Sequence, residues 1–306
     1  MNIVFQWVLC YCVYTEEKFI KGKPNRLENF NYSINEAYFI TICTKDKKCV
    51  LGTLKTIQPN GLRTNTIQRG KTMAIIHSIE SMAALDGEGI RYGVFFTGCP
   101  LRCIYCHNPD TWFGSGTEYT AEQLAKKIKR YTPYFKNGGG VTFSGGEPLL
   151  NAEFINEIHP LLQAEGIGYC LDTSGSVPLT DTVKTCIDNA DMVILDIKFH
   201  NEAAYKKYTG GDFENFVAIG KYCTQTGKRL WLRTVVVPNI NDNEDEILKY
   251  KEFAKQFKYE KYELLAFHTM GFFKYENLNI ENTLINTKAM DKNKLADFQK
   301  IIDKKE

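Results

Sequence analysis

Arg91-Tyr-Gly-Val-Phe-Phe-Thr-Gly-Cys99-Pro-Leu-Arg-Cys103-Ile-Tyr-Cys106 joins an apolar run to a loop carrying three cysteines at C-x3-C-x2-C spacing. The run predicts a strand from Arg91 to Thr97, so the cysteines fall just beyond its C-terminal end. Thiolates are the ligands of iron-sulfur clusters, and a 4Fe-4S cube ordinarily takes four of them. Three, with no fourth cysteine near, leave one iron open to a small molecule. The alternative is zinc, which in structural sites asks for four tetrahedral ligands, usually as two pairs. His107, adjacent to Cys106, is poorly placed to complete such a set. Inert packing of three buried thiols leaves unexplained why they cluster in a loop with Pro100 and Arg102.

Outward from this segment the pattern repeats. Strand-like runs at Val141 to Ser144, Gly168 to Thr173, Met192 to Lys198, Leu230 to Pro238 and Tyr262 to His268 alternate with helical patterns, which predicts a parallel α/β sheet. Thr120-Ala-Glu-Gln123 is a capping-box pattern, and Leu124, Ile128, Tyr131 and Phe135 continue one apolar face until Gly138, Gly139 and Gly140 end it. Asn243 to Phe257 and Lys288 to Ile302 read as charged amphipathic helices with solvated outer faces. Right-handed crossovers curl such units into a barrel or part of one. The fold class expected is therefore α/β, a partial (β/α)6 TIM-like barrel with an N-terminal extension over 1–72 and the main domain over 73–306.

In such a barrel functional groups gather at the C-terminal ends of the strands, and the unusual residues fall there. Ser144-Gly145-Gly146-Glu147-Pro148 ends the second strand. Its glycines let backbone approach a ligand closely, and Glu147 can accept from a ligand ammonium, although a tight turn explains glycines equally well. Asp172-Thr173-Ser-Gly175 ends the third strand, and Asp172 suits either a ligand or a turn. Along Val193-Ile-Leu-Asp196-Ile197-Lys198 the two charges share one face and the apolar side chains the other. Such a pair fits a zwitterionic or ribose-bearing ligand, or a rim salt bridge. His268 closes an otherwise apolar strand, as a ligand contact or a hydrogen-bonded core residue. Asp86-Gly-Glu-Gly-Ile-Arg91 fits a plain turn and a partner-shaped loop equally.

Lys and Arg total 38 against 36 Asp and Glu, a formal charge of +2 over 306 residues, so no global field points to nucleic acid or an anionic membrane. Ten cysteines, unpatterned apart from the trio, argue against a disulfide framework and for a reducing cytoplasm. The apolar stretch Met1 to Tyr14 is too short for a membrane span and lacks a basic start and a small-residue cleavage site.

Taken together, Asp86-Gly-Glu-Gly-Ile-Arg91, Cys99 to Trp112, Gly139-Gly-Val-Thr-Phe-Ser-Gly-Gly-Glu-Pro148, Leu171-Asp-Thr-Ser-Gly175, Trp231 to Pro238 and Glu263 to His268 resemble the radical S-adenosylmethionine (SAM) superfamily. More narrowly, they resemble the activating enzymes of pyruvate formate-lyase, from about Ile75 to the C-terminus. The resemblance implies that Cys99, Cys103 and Cys106 hold a 4Fe-4S cluster whose fourth iron is chelated by SAM. Reductive cleavage of the sulfonium would give a 5'-deoxyadenosyl radical that takes hydrogen from a glycine of the partner, pyruvate formate-lyase. It also implies an electron donor of flavodoxin or ferredoxin type, and neither nucleic acid nor membrane as a partner of this domain. By the same resemblance Tyr105, Cys106 and His107 flank the adenosyl group, and Gly145, Gly146 and Glu147 meet the methionine end. Asp196, Ile197 and Lys198 would contact SAM, His268 would close the site, and a monovalent cation would sit at Asp172, Thr173 and the backbone of Ile194.

Asn108 runs directly through Trp112 to the helix at Thr120. The ferredoxin-like insert that activases of other glycyl radical enzymes often carry at this point is thus missing, which favours pyruvate formate-lyase as the target over, for example, anaerobic ribonucleotide reductase. Gly87-Glu88-Gly89 stands where Gly-Pro-Gly is usual, and Ala266-Phe267-His268 where Pro-Tyr-His is usual. Lys23 to Ser33 followed by Ala37 to Lys45 is similar to the start of small single-strand-DNA transposases of the REP-associated tyrosine type. Those enzymes need a histidine pair, yet no histidine precedes His77. The segment is expected to be a catalytically dead remnant or an overextended start, with Met73 the natural beginning. A zinc-bearing DNA-binding transposase relative is the contrasting reading of the whole chain.

Overall fold

The computed structural model describes the backbone strands 38–43 and 49–54 and residues 72–304. The chain divides into two compact units, 1–71 and 72–306. In the first, β1 (Tyr38–Cys43) pairs antiparallel with β2 (Cys49–Leu54), with Tyr38 opposite Leu54 and Cys43 opposite Cys49. The apolar start Met1 to Tyr14 and the transposase-like stretch Lys23 to Ser33 lie outside the described residues.

The second unit carries the alternation. Its strands are β3 (Met73–Ala83), β4 (Arg91–Phe96), β5 (Thr117–Thr120), β6 (Gly140–Gly145), β7 (Tyr169–Thr173), β8 (Met192–Asp196), β9 (Leu230–Val236) and β10 (Lys261–Ala266). They form one sheet in the order β10-β9-β8-β7-β6-β4-β3-β5. The six strands from β4 to β10 are mutually parallel, and β3 and β5 add an antiparallel edge beside β4. The helices are α1 (Ala121–Lys129), α2 (Ala152–Gln163), α3 (Asp181–Asn189), α4 (Glu202–Thr209), α5 (Phe213–Thr226), α6 (Glu244–Ala254), α7 (Phe272–Asn277) and α8 (Lys292–Asp303). Crossovers between parallel neighbours each contain a helix, as parallel pairing requires. Among the described residues no helix is long and apolar enough to cross a membrane.

The helix starts follow from capping chemistry. The Thr120 hydroxyl accepts from Gln123 N while Thr120 N donates to Gln123 Oε1, the reciprocal box that satisfies two orphan donors of α1. Leu124 and Ile128 of that helix are fully buried, and Tyr131 and Phe135 pack partly buried against the same core after the helix has ended at Lys129. Between helices and sheet the core is continuous: Phe154, Ile155, Ile158 and Leu162 of α2 lie in it with Val141 and Phe143 of β6 and Leu171 of β7. Tyr169 drives its hydroxyl to the Cys186 carbonyl at 2.6 Å, so even the phenol at the start of β7 leaves no unpaired polar atom.

At the C-terminal end of the sheet β4 and β6 meet backbone to backbone. Gly145 has φ +111, and a Cβ there would stand 2.3 Å from Phe96 N; one on Gly146 would stand 2.1 Å from Gly98 O. The approach is closed by Gly146 N donating to Phe96 O (2.9 Å) and Glu147 N to Gly98 O (2.8 Å). Glu147, fully buried, then ties this corner to β7: its carboxylate accepts from Leu149 N, the Thr173 hydroxyl, Ser174 N and the Ser174 hydroxyl. Burial raises its pKa, and the four donors offset only part of that rise.

Replacing Glu147 with Ala strands those donors in the interior, at a cost of about 3 kcal/mol. The expected result is a melting temperature of the metal-free protein lowered by roughly 6–12 °C, read by circular dichroism. A midpoint unchanged to within about one degree contradicts this role for Glu147.

Candidate active site

All six parallel strands contribute to one cavity of about 540 Å³. Phe95 comes from β4, Ser144 and Gly145 from β6, Asp172 from β7, Asp196 from β8, Arg233 and Val235 from β9, and Leu265 and Ala266 from β10. A sheet can line one hollow with every strand only by curling around it, which gives the partial barrel its physical meaning.

Cys99, Cys103 and Cys106 all open onto this cavity as free thiols. Their loop is shaped by Cys106 N bonding Cys103 O (3.0 Å) and by Arg102, whose Nη1 holds the carbonyls of Cys99 and Leu101, each at 2.7 Å. Burial pushes the Cys99 thiol up to about 12, with the Glu147 carboxylate the next cause. It also raises Cys103 strongly and Cys106 to a lesser degree, while Lys198 lowers all three. Metal binding must therefore displace protons from this loop. Among the described residues no three His, Cys, Asp or Glu side chains converge as ligands of one ion.

In the same cavity, Lys198 Nζ meets Asp196 Oδ2 at 2.6 Å, with both side chains about four-fifths shielded or nearly so (17% and 25% exposed). The pKa of Lys198 is raised: burial opposes its charge, but Asp196 and the neighbouring Tyr105 and Cys103 outweigh that cost. Tyr105 is buried, and its hydroxyl reaches Lys198 O at 3.4 Å. His107 and His268 stand edge to face, 4.2 Å between ring centres. Burial lowers the His107 pKa, with His268 the second cause. His268 Nδ1 is buried without a hydrogen-bond partner. Asp172 accepts from the Ser144 hydroxyl at 2.7 Å. Its carboxyl is pushed up to about 7 by burial and then by the Asp196 carboxylate, against the pull of Arg233.

The structure brings together eleven of the expected residues: the cysteine trio, Tyr105, His107, Gly145, Gly146, Asp172, Asp196, Lys198 and His268 line the cavity. Glu147, Thr173 and Ile197 do not. The Glu147 carboxylate, expected to reach a ligand ammonium, is spent on the corner between β6 and β7, and the Thr173 hydroxyl is spent on Glu147. Ile197 is buried, with N bonded to Arg233 O and O to the Thr234 hydroxyl. The amides of Gly146 and Glu147, expected to face a ligand, donate instead to the end of β4. One charged cavity residue, Arg233, escaped notice in the sequence, and the loop of another, Asp86, was open between a turn and a partner surface. Arg233 donates to Leu85 O, stands 3.6 Å from Asp86 and 3.9 Å from Asp172, and is nearly buried. The signal was a guanidinium inside the apolar strand Leu230 to Val236, where a charge is affordable only if it faces partners. Asp86 lines the same cavity, which resolves its loop as part of the site.

A 4Fe-4S cluster with one open corner fits these donors. Three thiols and no fourth cysteine line the cavity, an ion pair lines it with them, and one buried imidazole nitrogen lacks a partner.

Comparison with known proteins agrees. Residues 94–250 match the Radical SAM superfamily. The chain is 45% identical over 233 residues to a pyruvate formate-lyase-activating enzyme of Clostridium pasteurianum, covering 75% of this chain and 97% of that one. It is 38% identical over 225 residues to the enzyme of the same name from Staphylococcus epidermidis, covering 71% and 90%. In fold it is similar to a radical SAM methyltransferase from Sphaerobacter thermophilus, with TM-score 0.53, 14% identity and coverage of 98% and 84%. A trio of thiols on one loop, held over a charged cavity by a curled parallel sheet, and this extent of shared sequence lead to one conclusion: the chain belongs to the radical SAM superfamily and, within it, to the family of pyruvate formate-lyase-activating enzymes, whose cofactors are a 4Fe-4S cluster and SAM.

Proposed function

We propose that this chain installs a glycyl radical on pyruvate formate-lyase in an anaerobic cytoplasm, drawing electrons from a donor of flavodoxin or ferredoxin type. The observation that carries the proposal is the convergence of three free thiols, the Asp196–Lys198 pair and the unpartnered His268 Nδ1 on one cavity. When bound, the cluster and SAM supply reductive cleavage of a sulfonium and abstraction of hydrogen from a glycine carbon.

The chain's own residues bind, orient and exclude water. Cys99, Cys103 and Cys106, as thiolates, would hold the cluster. Asp196 and Lys198 offer a carboxylate and an ammonium, already paired and desolvated, to the polar groups of SAM. Tyr105 and His107 bound the adenosyl end, and His268 Nδ1 gains there the hydrogen bond it lacks. The corner at Gly145 and Gly146 fixes where the methionine end rests, while Glu147 braces that corner from behind. A monovalent cation at Asp172 belongs to the same reading: a buried carboxyl facing Asp196 gains most from a counter-charge beside it. Residues 73–306 carry this activity, and 1–72 are a non-catalytic extension.

Cys103→Ala is expected to lose cluster iron and SAM cleavage together, measured by iron and sulfide analysis and by release of 5'-deoxyadenosine. Retained cluster and turnover contradict the ligand assignment. For the cation, Asp172→Ala should weaken SAM binding about tenfold and abolish its dependence on potassium, read by equilibrium dialysis in potassium and in a bulky organic cation. Unchanged affinity in both salts removes the site. The reaction itself is tested by electron paramagnetic resonance of pyruvate formate-lyase after anaerobic incubation with this protein, SAM and a reductant. A glycyl radical signal is expected, and its absence despite an intact cluster and SAM cleavage redirects the activity to another glycyl radical enzyme, such as anaerobic ribonucleotide reductase.

A further inference from the structure

We infer that Tyr250 of α6 is a positioning residue for Lys198: it stands outside the cavity and acts on SAM binding only by holding the backbone from which the Lys198 side chain reaches in. The inference rests on the reading that Lys198 contacts SAM, and adds what sets the place of its ammonium. Lys198 comes after the last registered pair between β8 and β9, Asp196 with Arg233. Past that pair, Ile197 N still donates to Arg233 O (2.7 Å) and Ile197 O accepts from the Thr234 hydroxyl (3.1 Å). The Lys198 carbonyl lies beyond the regular ladder, so its position depends on donors from elsewhere. Two hydroxyls supply them. Tyr105, itself part of the cavity lining, donates at 3.4 Å, the long end of the range, and Tyr250 donates at 3.2 Å.

Tyr250 is fully buried and does not line the cavity. A second partner fixes the direction of its bond. Buried Asn241 accepts from Val237 N at Oδ1 (2.6 Å), so its Nδ2 donates to Val235 O (3.0 Å) and to the Tyr250 oxygen (3.3 Å). With the phenol oxygen accepting from that amide, its one proton is left for Lys198 O. The carbonyl is thereby referred both to α6 and, through Asn241, to the end of β9. Two residues further on α6 grips the same segment again: His200 Nε2 meets Glu246 Oε2 at 2.9 Å, and the His200 ring stands edge to face with Tyr250, 4.9 Å between centres. Between these two holds Phe199 is buried, its ring 6.2 Å from that of Tyr105 and 4.7 Å from that of Tyr208. Lys198 is thus held at both ends of a flexible stem, at its base by Tyr250 and at its tip by Asp196 (2.6 Å). An amine ordered at base and tip before a ligand arrives loses less freedom on binding it. Removing the base hold costs affinity for SAM, while the cluster ligands sit on a different loop.

The test uses SAM as the probe on the anaerobic, cluster-loaded protein, with the cluster kept oxidised so that no cleavage follows, and reads Kd by equilibrium dialysis. Tyr250→Phe should raise Kd about fivefold while iron and sulfide stay at the wild-type level. Tyr169→Phe also removes one buried hydroxyl, the one bonded to Cys186 O at the start of β7, and should leave Kd unchanged. Lys198→Met should raise Kd by itself, and adding Tyr250→Phe to it should change nothing further, because the group that Tyr250 positions is gone. Wild-type affinity in Tyr250→Phe, loss of its iron, equal weakening in Tyr169→Phe, or an undiminished Tyr250→Phe effect in the Lys198→Met background each overturns the assignment. Wild-type affinity in Lys198→Met is a different failure: it removes the SAM contact of Lys198 on which the inference rests.

Discussion

The backbone contact between the ends of β4 and β6 is the constraint on which the site depends. Two glycines allow it, since a Cβ on Gly145 or Gly146 would stand inside the van der Waals distance of Phe96 or Gly98. The contact fixes Gly98, and Gly98 starts the cysteine loop. Glu147 then carries the constraint to β7 through Thr173 and Ser174. The position of the cysteine loop is thereby referred to the sheet through hydrogen bonds between buried groups, which hold geometry better than an exposed loop can.

Much of this was legible in the sequence because parallel sheets announce themselves. Buried on both faces, their strands read as continuous apolar runs, and five crossovers, each with a helical pattern, left little choice of topology. The placement of charges at strand ends was equally readable, since Asp172, Asp196 and Lys198 are the charges in otherwise apolar runs and His268 ends the last strand. The edge strands were harder. β3 spans Met73–Ala83 with a mixed burial pattern, because only part of it faces the core, and Glu80 and His77 blur its alternation. β5 is four residues of mostly exposed chain, without a pattern to detect. β2, Cys49–Leu54, likewise went unread beside β1.

The roles assigned to Glu147 and to the glycine amides illustrate what a sequence withholds. A carboxylate or a glycine at a strand end can serve a ligand or the scaffold, and the residue type is the same in both cases. Only the partners decide. At Glu147 four donors arrive from the protein itself, and at Gly146 the amide returns to Phe96. Arg233 is the opposite case, a residue that composition would assign to the surface but that three carboxylates and a carbonyl draw into the interior.

The account as a whole turns on a thiolate-held cube with one unshared corner. Mössbauer spectroscopy of anaerobically reconstituted, iron-57-enriched protein, recorded with and without SAM, addresses this most directly. One iron of the cube should change its isomer shift on addition of SAM while the other sites keep theirs. Iron sites that all remain unchanged, or a protein that takes up zinc and no iron, would contradict it.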